Sequence, residues 1–144
     1  MTVAAILKHK GSAVETTRPN ATVQQVCDQL SSKHIGAAVV LGPSGEVIGV
    51  VSERDIVHAL SQHGPAALTR AIDEIMTRDV VTCRLTDTSE ALMETMTQGR
   101  FRHVPVVEGG RLVGIVSIGD VVKRRIEDSD LERHAMRDYI TQAG

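Results

Sequence analysis

The chain carries one heptapeptide twice. "GVVSERD" spans residues 49–55 and "GIVSIGD" spans 114–120. Each copy is a glycine, an apolar pair, a serine, two variable positions and an aspartate. The match continues outward: Val14 and Thr16 fall on Val80 and Thr82, and Thr22, Val26, Leu30 and Ile35 fall on Thr88, Leu92, Met96 and Phe101, all 66 residues on. From Gly49 to Gly114 the offset is 65, because "GPSGE" in the first copy is one residue longer than "EGGR" in the second. A length change confined to a turn is the mark of a structural repeat, and it limits the fold to two like units.

Both units read alike. "AVETT" and "VVTCR" are β-branched runs suited to short strands. In "NATVQQVCDQLSSKHI" and "TDTSEALMETMTQGRF" the spacing of Val23, Val26 and Leu30, and of Leu92 and Met96, predicts helices with those residues inward. Asn20 and Asp87 are the expected N-caps. "AAVVLGPSGEVIGVVS" and "VPVVEGGRLVGIVS" each read as two strands joined by a Gly-rich hairpin turn, apolar enough that both faces should be covered. "SERDIVHAL" and "SIGDVVKRRI" then begin helices.

The fold class is therefore α+β, a β-α-β-β-α unit occurring twice. Repeats at 7–64 and 79–127 are joined by a linker at 65–78 and followed by a helical tail at 128–144. A unit of about fifty residues buries too little surface to be secure alone, so the two should pack together with pseudo-two-fold symmetry. In the tail, Leu131, Ala135, Met136, Tyr139 and Ile140 form one apolar face.

Composition excludes several classes. A formal net charge of -2 over 144 residues argues against a general nucleic-acid binder, and with Phe101 and Tyr139 the sole aromatics there is no stacking platform for single strands. Cys27 and Cys83 have neither disulfide-framework nor zinc spacing and read as small buried residues. "MTVAAILKHKG" lacks a signal peptide's apolar region and no run approaches a membrane span, so a cytoplasmic protein is expected.

The repeated motif has its own chemistry. The strand ends and the helix begins at the serine, so free amides and a hydroxyl should meet there, a place for an anion or phosphate. The aspartate three residues on can accept two hydrogen bonds from neighbouring hydroxyls, as on a ribose. The glycine removes a side chain where something must approach closely. These features fit a phosphorylated nucleoside, but S-x-x-D is equally a capping arrangement for a helix N-terminus.

The doubled motif, with "RFRHVPVV" before its second copy, resembles the tandem CBS domain pair, or Bateman module, of small stand-alone bacterial proteins. The resemblance covers essentially the whole chain. It implies sensing or regulation rather than catalysis, through adenine nucleotides: AMP foremost, ADP or ATP, and in some members NAD(H) or S-adenosylmethionine. It further implies that Asp55 and Asp120 hold ribose hydroxyls, that Ser52 and Ser117 face sugar or phosphate, and that Val50 and Ile115 line the base pocket. Each cleft would borrow its second wall from the other repeat. Asp55 would work with Arg102, His103, Met76 and Thr77, and Asp120 with Gly36, Ala37, Lys8 and Ser12. With Arg54 nearby, the Asp55 cleft should be the more cationic, an arginine fork matching phosphate oxygens. Repeat 1 departs from repeat 2 in having Val39 at the place of Pro105.

Other residues carry less. His58 and His63, five apart, do not present both rings to one metal, and His34 reads as a helix-end residue. "KRRI" from Lys123 reads as a solvated helix face. Neither Ser52 nor Ser117 has an adjacent base, and no nucleophile elbow or P-loop occurs. A homodimer with an unidentified protein target is expected. The alternative from another class is a ligand-free adaptor for protein interaction.

Overall fold

The computed structural model describes residues 1–143. Chain order is α1 (Val3–Lys10), β1 (Thr16–Thr17), α2 (Val23–Lys33), β2 (Ala37–Leu41), β3 (Val47–Ser52), α3 (Glu53–His63), two 3-10 turns (Gly64–Thr69 and Ile72–Glu74), α4 (Ser89–Gly99), β4 (His103–Glu108), β5 (Arg111–Ser117) and α5 (Ile118–Ala143). It is an α+β fold of two like halves.

The repeat survives in detail. Hairpins β2–β3 and β4–β5 are antiparallel, with irregularities at the matching places Val40/Leu41 and Val106/Val107. Leu41 pairs with Val47 across five residues, whereas Val107 pairs with Leu112 across four, so the extra residue lies in the turn. Gly109 and Gly110 take φ 55° and 78°, the two left-handed positions of a tight hairpin turn. His34 and Arg100, 66 apart, both end their helices at positive φ. Val23, Val26, Leu30, Leu92 and Met96 are buried, as their spacing predicts.

The helix caps correct the reading of Asn20 and Asp87. Thr22 and Thr88 are the N-caps, their hydroxyls accepting from the Gln25 and Ala91 amides. Asp87 instead closes the preceding turn, accepting from the Arg84 amide at 2.8 Å.

The first strand is present in one half alone. In the first, β1 pairs in parallel with β2, and the Val39 amide donates to the Glu15 carbonyl at 3.0 Å. Its counterpart is Pro105, which has no N–H to offer. The second half consequently keeps a single bridge, Cys83 to Val106, held by Cys83 N–H to Pro105 O and Val107 N–H to Cys83 O, both 2.9 Å. Thr82, the counterpart of Thr16, thereby drops out of the strand, and the Val81 carbonyl has no amide at Pro105 to match the one Glu15 accepts from.

Each half is completed by a segment from outside it. Ile72 and Met76 of the linker enter the core of Val23, Val26, Leu30, Val40 and Val51. α1, which the sequence reading left without a structure, gives Val3, Ile6 and Leu7 to the second core with Leu92, Met96, Val104 and Val116. Its first amides are satisfied there, Val3 N–H by Asp87 O at 2.8 Å and Ala4 N–H by Leu85 O at 3.0 Å. The motif glycines serve this exchange: a Cβ on Gly49 would lie 2.5 Å from Met76 Sδ, and one on Gly114 2.8 Å from Leu7 Cδ1. What approaches these glycines is an apolar side chain of the chain itself, not a ligand.

Burial along the strands also differs from expectation. β2 is covered on both faces from Ala37 to Val40, but β3 and β5 alternate, and Val50 and Ile115 stay half-buried. The tail is not a separate helix. α5 runs unbroken through it, leaving Leu131, Met136, Tyr139 and Ile140 exposed.

Candidate functional site

Each motif first builds a helix start. Ser52 caps α3 by accepting from the Asp55 amide at 3.3 Å, and Asp55 Oδ2 accepts from the Ser52 amide at 2.9 Å. The second motif repeats this: Asp120 N–H to Ser117 Oγ at 3.1 Å and Ser117 N–H to Asp120 Oδ2 at 2.8 Å. Such a reciprocal box stabilises a helix by about 1 kcal/mol. The next amides are used as well, Glu53 N–H by Gly36 O at 3.0 Å and Ile118 N–H by Arg102 O at 2.8 Å. The free amides expected for an anion are therefore largely taken, and charge recognition passes to side chains.

Asp55 nevertheless keeps capacity facing outward. Its Oδ1 accepts from the Thr77 hydroxyl at 3.3 Å. Thr77 is fixed by a two-way backbone bridge to Val50, at 3.0 and 2.9 Å. Around this carboxylate opens a cleft of about 970 Å³ lined by both halves. Val50, Ser52, Arg54, Asp55, Thr77, Arg102 and His103, all singled out from the sequence, line it together. Met76 does not; it is buried in the first core over Gly49.

Gly36 lines this cleft rather than standing only behind Asp120. A Cβ there would lie 2.8 Å from Glu53 Oε1 and 3.3 Å from His103 Nε2, so the two repeats meet closely at this point. Ala37 is buried beside it and pairs with Ser52. The sequence reading missed the rest of the wall: Glu53, Asp79, Val80, Val81, Gly99, Arg100 and Phe101. Pro105 was the available signal for Val81, since it lacks the amide from which the counterpart Glu15 carbonyl accepts.

Charge in the cleft is mixed. Arg54, Arg100 and Arg102 face Glu53, Asp55 and Asp79. Burial pushes the His103 imidazole below its usual value, as does the Lys10 ammonium. Asp120 and Glu53 oppose this, and Arg102 adds to it. The balance favours the neutral imidazole over the cation.

At the second motif the side chain that reaches the carboxylate is Lys10. Its Nζ lies 2.6 Å from Asp120 Oδ2 and donates to Ile115 O at 2.8 Å. Lys8 and Ser12 are exposed on α1 and the stretch that follows it. Lys10 stands one turn beyond Leu7 on the inward face of α1, a placement visible only once α1 is recognised as a helix. Burial raises the Asp120 carboxyl, but the Lys10 ammonium and the Ser117 amide outweigh it and hold the group below the usual aspartate value. With a lysine here, the charge contrast between the clefts is smaller than the sequence implied.

Cys83 is buried as its type suggests, whereas Cys27 is only half-buried. Burial, then Asp87, pushes the Cys83 thiol up to about 12, and burial with Asp28 raises that of Cys27. Among the described residues no group of three or more His, Cys, Asp or Glu could hold a metal ion, and no helix is long and apolar enough to cross a membrane.

Known proteins share this arrangement. The model of the CBS domain matches residues 11–62 and again 72–127. A CBS-domain containing protein from Agrobacterium tumefaciens superposes with a TM-score of 0.85 at 46% identity, covering 87% of this chain and 99% of that one. The CBS domain pair of protein MJ0100, solved with 5′-methylthioadenosine and S-adenosyl-L-methionine, gives 0.80 at 26% identity over 89% and 98%. A CBS domain protein from Pyrobaculum aerophilum complexed with AMP gives 0.75 at 29% identity over 83% and 89%. With its two repeated motifs, exchanged segments and inter-repeat cleft, the chain belongs to the CBS-domain family as a tandem pair.

Proposed function

We propose that the protein is a non-catalytic regulatory module that binds an adenosine-containing ligand, AMP foremost, in the Asp55 cleft. The observation that carries this is the meeting of a ribose acceptor, an apolar wall and guanidinium groups in one opening between the repeats. Asp55 takes the ribose hydroxyls. Val50, Val80, Val81 and Phe101 offer the base a flat apolar surface. Arg54, Arg100 and Arg102 supply forked donors to a phosphate. Glu53 and Asp79 limit the net positive charge, which favours a monophosphate over a triphosphate.

The AMP and 5′-methylthioadenosine bound by the similar pairs support an adenosine ligand here. Output passes through a partner protein or a change of assembly. The exposed apolar face of α5 supports a homodimer.

Calorimetric titration with AMP, beside a chromatographic assay for AMP turnover, tests this. Saturable binding without turnover is expected. Turnover would make the protein an enzyme. Absence of binding by AMP, 5′-methylthioadenosine and NAD alike would leave the ligand-free adaptor.

A further inference from the structure

The two halves diverge at one point of their otherwise shared plan. Leu7 and Met76 cover the equivalent glycines Gly114 and Gly49. After Met76 the chain extends, and Thr77 bridges Val50 through backbone groups in both directions. After Leu7 the chain stays helical to Lys10, and Gly11 turns away at φ 95°. The Ile115 carbonyl, counterpart of the Val50 carbonyl, is then met by the Lys10 ammonium instead of an amide. The same ammonium holds Asp120 Oδ2, which also accepts from the Ser117 amide. The Asp55 half fixes its wall without placing a charge in the cleft, whereas the Asp120 half fixes it with one.

We propose that Lys10 selects between the two clefts: by holding Asp120 Oδ2 and the Ile115 carbonyl with a charge from within the chain, it leaves the Asp55 cleft as the single open nucleoside site. A ribose diol uses both oxygens of a carboxylate, and at Asp120 it must displace a charge-assisted bond of 2.6 Å. At Asp55, where Oδ2 accepts from the Ser52 amide at 2.9 Å and the Ser52 hydroxyl at 3.1 Å, every competitor is neutral, and the Thr77 hydroxyl at 3.3 Å on Oδ1 is free to rotate. The low-lying Asp120 carboxyl reflects the same ion pair. Lys10 is thus a specificity-determining residue that sets how many ligands the pair holds.

This inference rests on the adenosine-binding role proposed above, and AMP titration separates the two. Wild type should titrate at one site per chain, weakened roughly ten- to hundredfold in Asp55→Asn. Lys10→Met, which keeps the stem and removes the charge, should gain a second site at least tenfold tighter than any residual second event in wild type. Lys10→Ala should do the same, and adding Asp120→Asn should remove the gained site. Melting curves check that the variants are folded; Lys10 lies at the surface end of α1, outside either core. Two similar sites in wild type, or one site retained in both Lys10 variants, would overturn the selection. No binding in wild type would overturn the adenosine-binding role, and the selection with it.

Discussion

Replacing Asp55 separates its two tasks. Asp55→Ala deletes the acceptor of the Ser52 amide at 2.9 Å and of the Ser52 and Thr77 hydroxyls at 3.1 and 3.3 Å. Losing one side of a helix-capping box costs about 0.5–2 kcal/mol. For a chain of this size that lowers the melting temperature by roughly 4 °C per kcal/mol. Asp55→Asn keeps one carbonyl oxygen for the Ser52 amide and should recover most of this loss. Ligand affinity should not recover, because both variants lack the charged acceptor for the ribose. A hydrogen bond to a charged group contributes about 1.5–3 kcal/mol, so AMP affinity should fall roughly ten- to hundredfold in either variant. Melting curves and AMP calorimetry on the same preparations read the two effects independently. Should Asp55→Asn bind AMP within twofold of wild type, the carboxylate is a helix cap and nothing more.

Three further outcomes follow from particular contacts. Gly49→Ala should cost about 1–3 kcal/mol in urea unfolding, since its Cβ meets Met76 Sδ and, at 3.1 Å, the Thr77 carbonyl. Gly114→Ala meets only the movable Leu7 side chain and should cost less; equal costs would contradict this packing. Acidification should lower the melting temperature in two stages with the same sign. His103, kept neutral by a lowered pKa, gives up stability as pH falls below the ordinary imidazole value, and Asp120 does so as pH falls through its own lowered value. Lys10→Met should flatten both stages, because the ammonium depresses both groups; an unchanged profile argues against the ion pair. In light scattering at micromolar concentration the chain should be a dimer, and Tyr139→Glu with Ile140→Glu should weaken it. A monomer mass for wild type would exclude a role for the exposed α5 face in self-association.

What the sequence made legible follows from what local chemistry dictates. The repeat, the hairpins, the inward residues of α2 and α4 and the extra turn residue are all local patterns, and the structure keeps them. In the Asp55 cleft, Ser52 and Asp55 were readable from the motif's place at a strand end and helix start, and Val50, Thr77, Arg102 and His103 through the family resemblance. Features that depend on what a segment packs against were not readable. α1 has few periods of its own and is ordered by the second core, so Lys10 escaped notice while its neighbour Lys8 did not. Arg100 and Phe101 join the wall through a left-handed helix end, and Val80 and Val81 through a stretch that belongs to no strand. Capping threonines were displaced to asparagine and aspartate because the latter sit in turns just upstream, where they serve equally well.

A melting series against AMP tests most directly whether the folded pair binds adenosine ligands in the Asp55 cleft. Ligand that binds only the folded state should raise the melting temperature continuously with concentration, by an amount corresponding to roughly 2.7 kcal/mol at a hundredfold excess over the dissociation constant. In Asp55→Asn the rise should move to roughly ten- to hundredfold higher AMP, and inorganic phosphate should not reproduce it. A transition that AMP leaves unmoved at millimolar concentration, or one that Asp55→Asn shares in full, would contradict binding in that cleft.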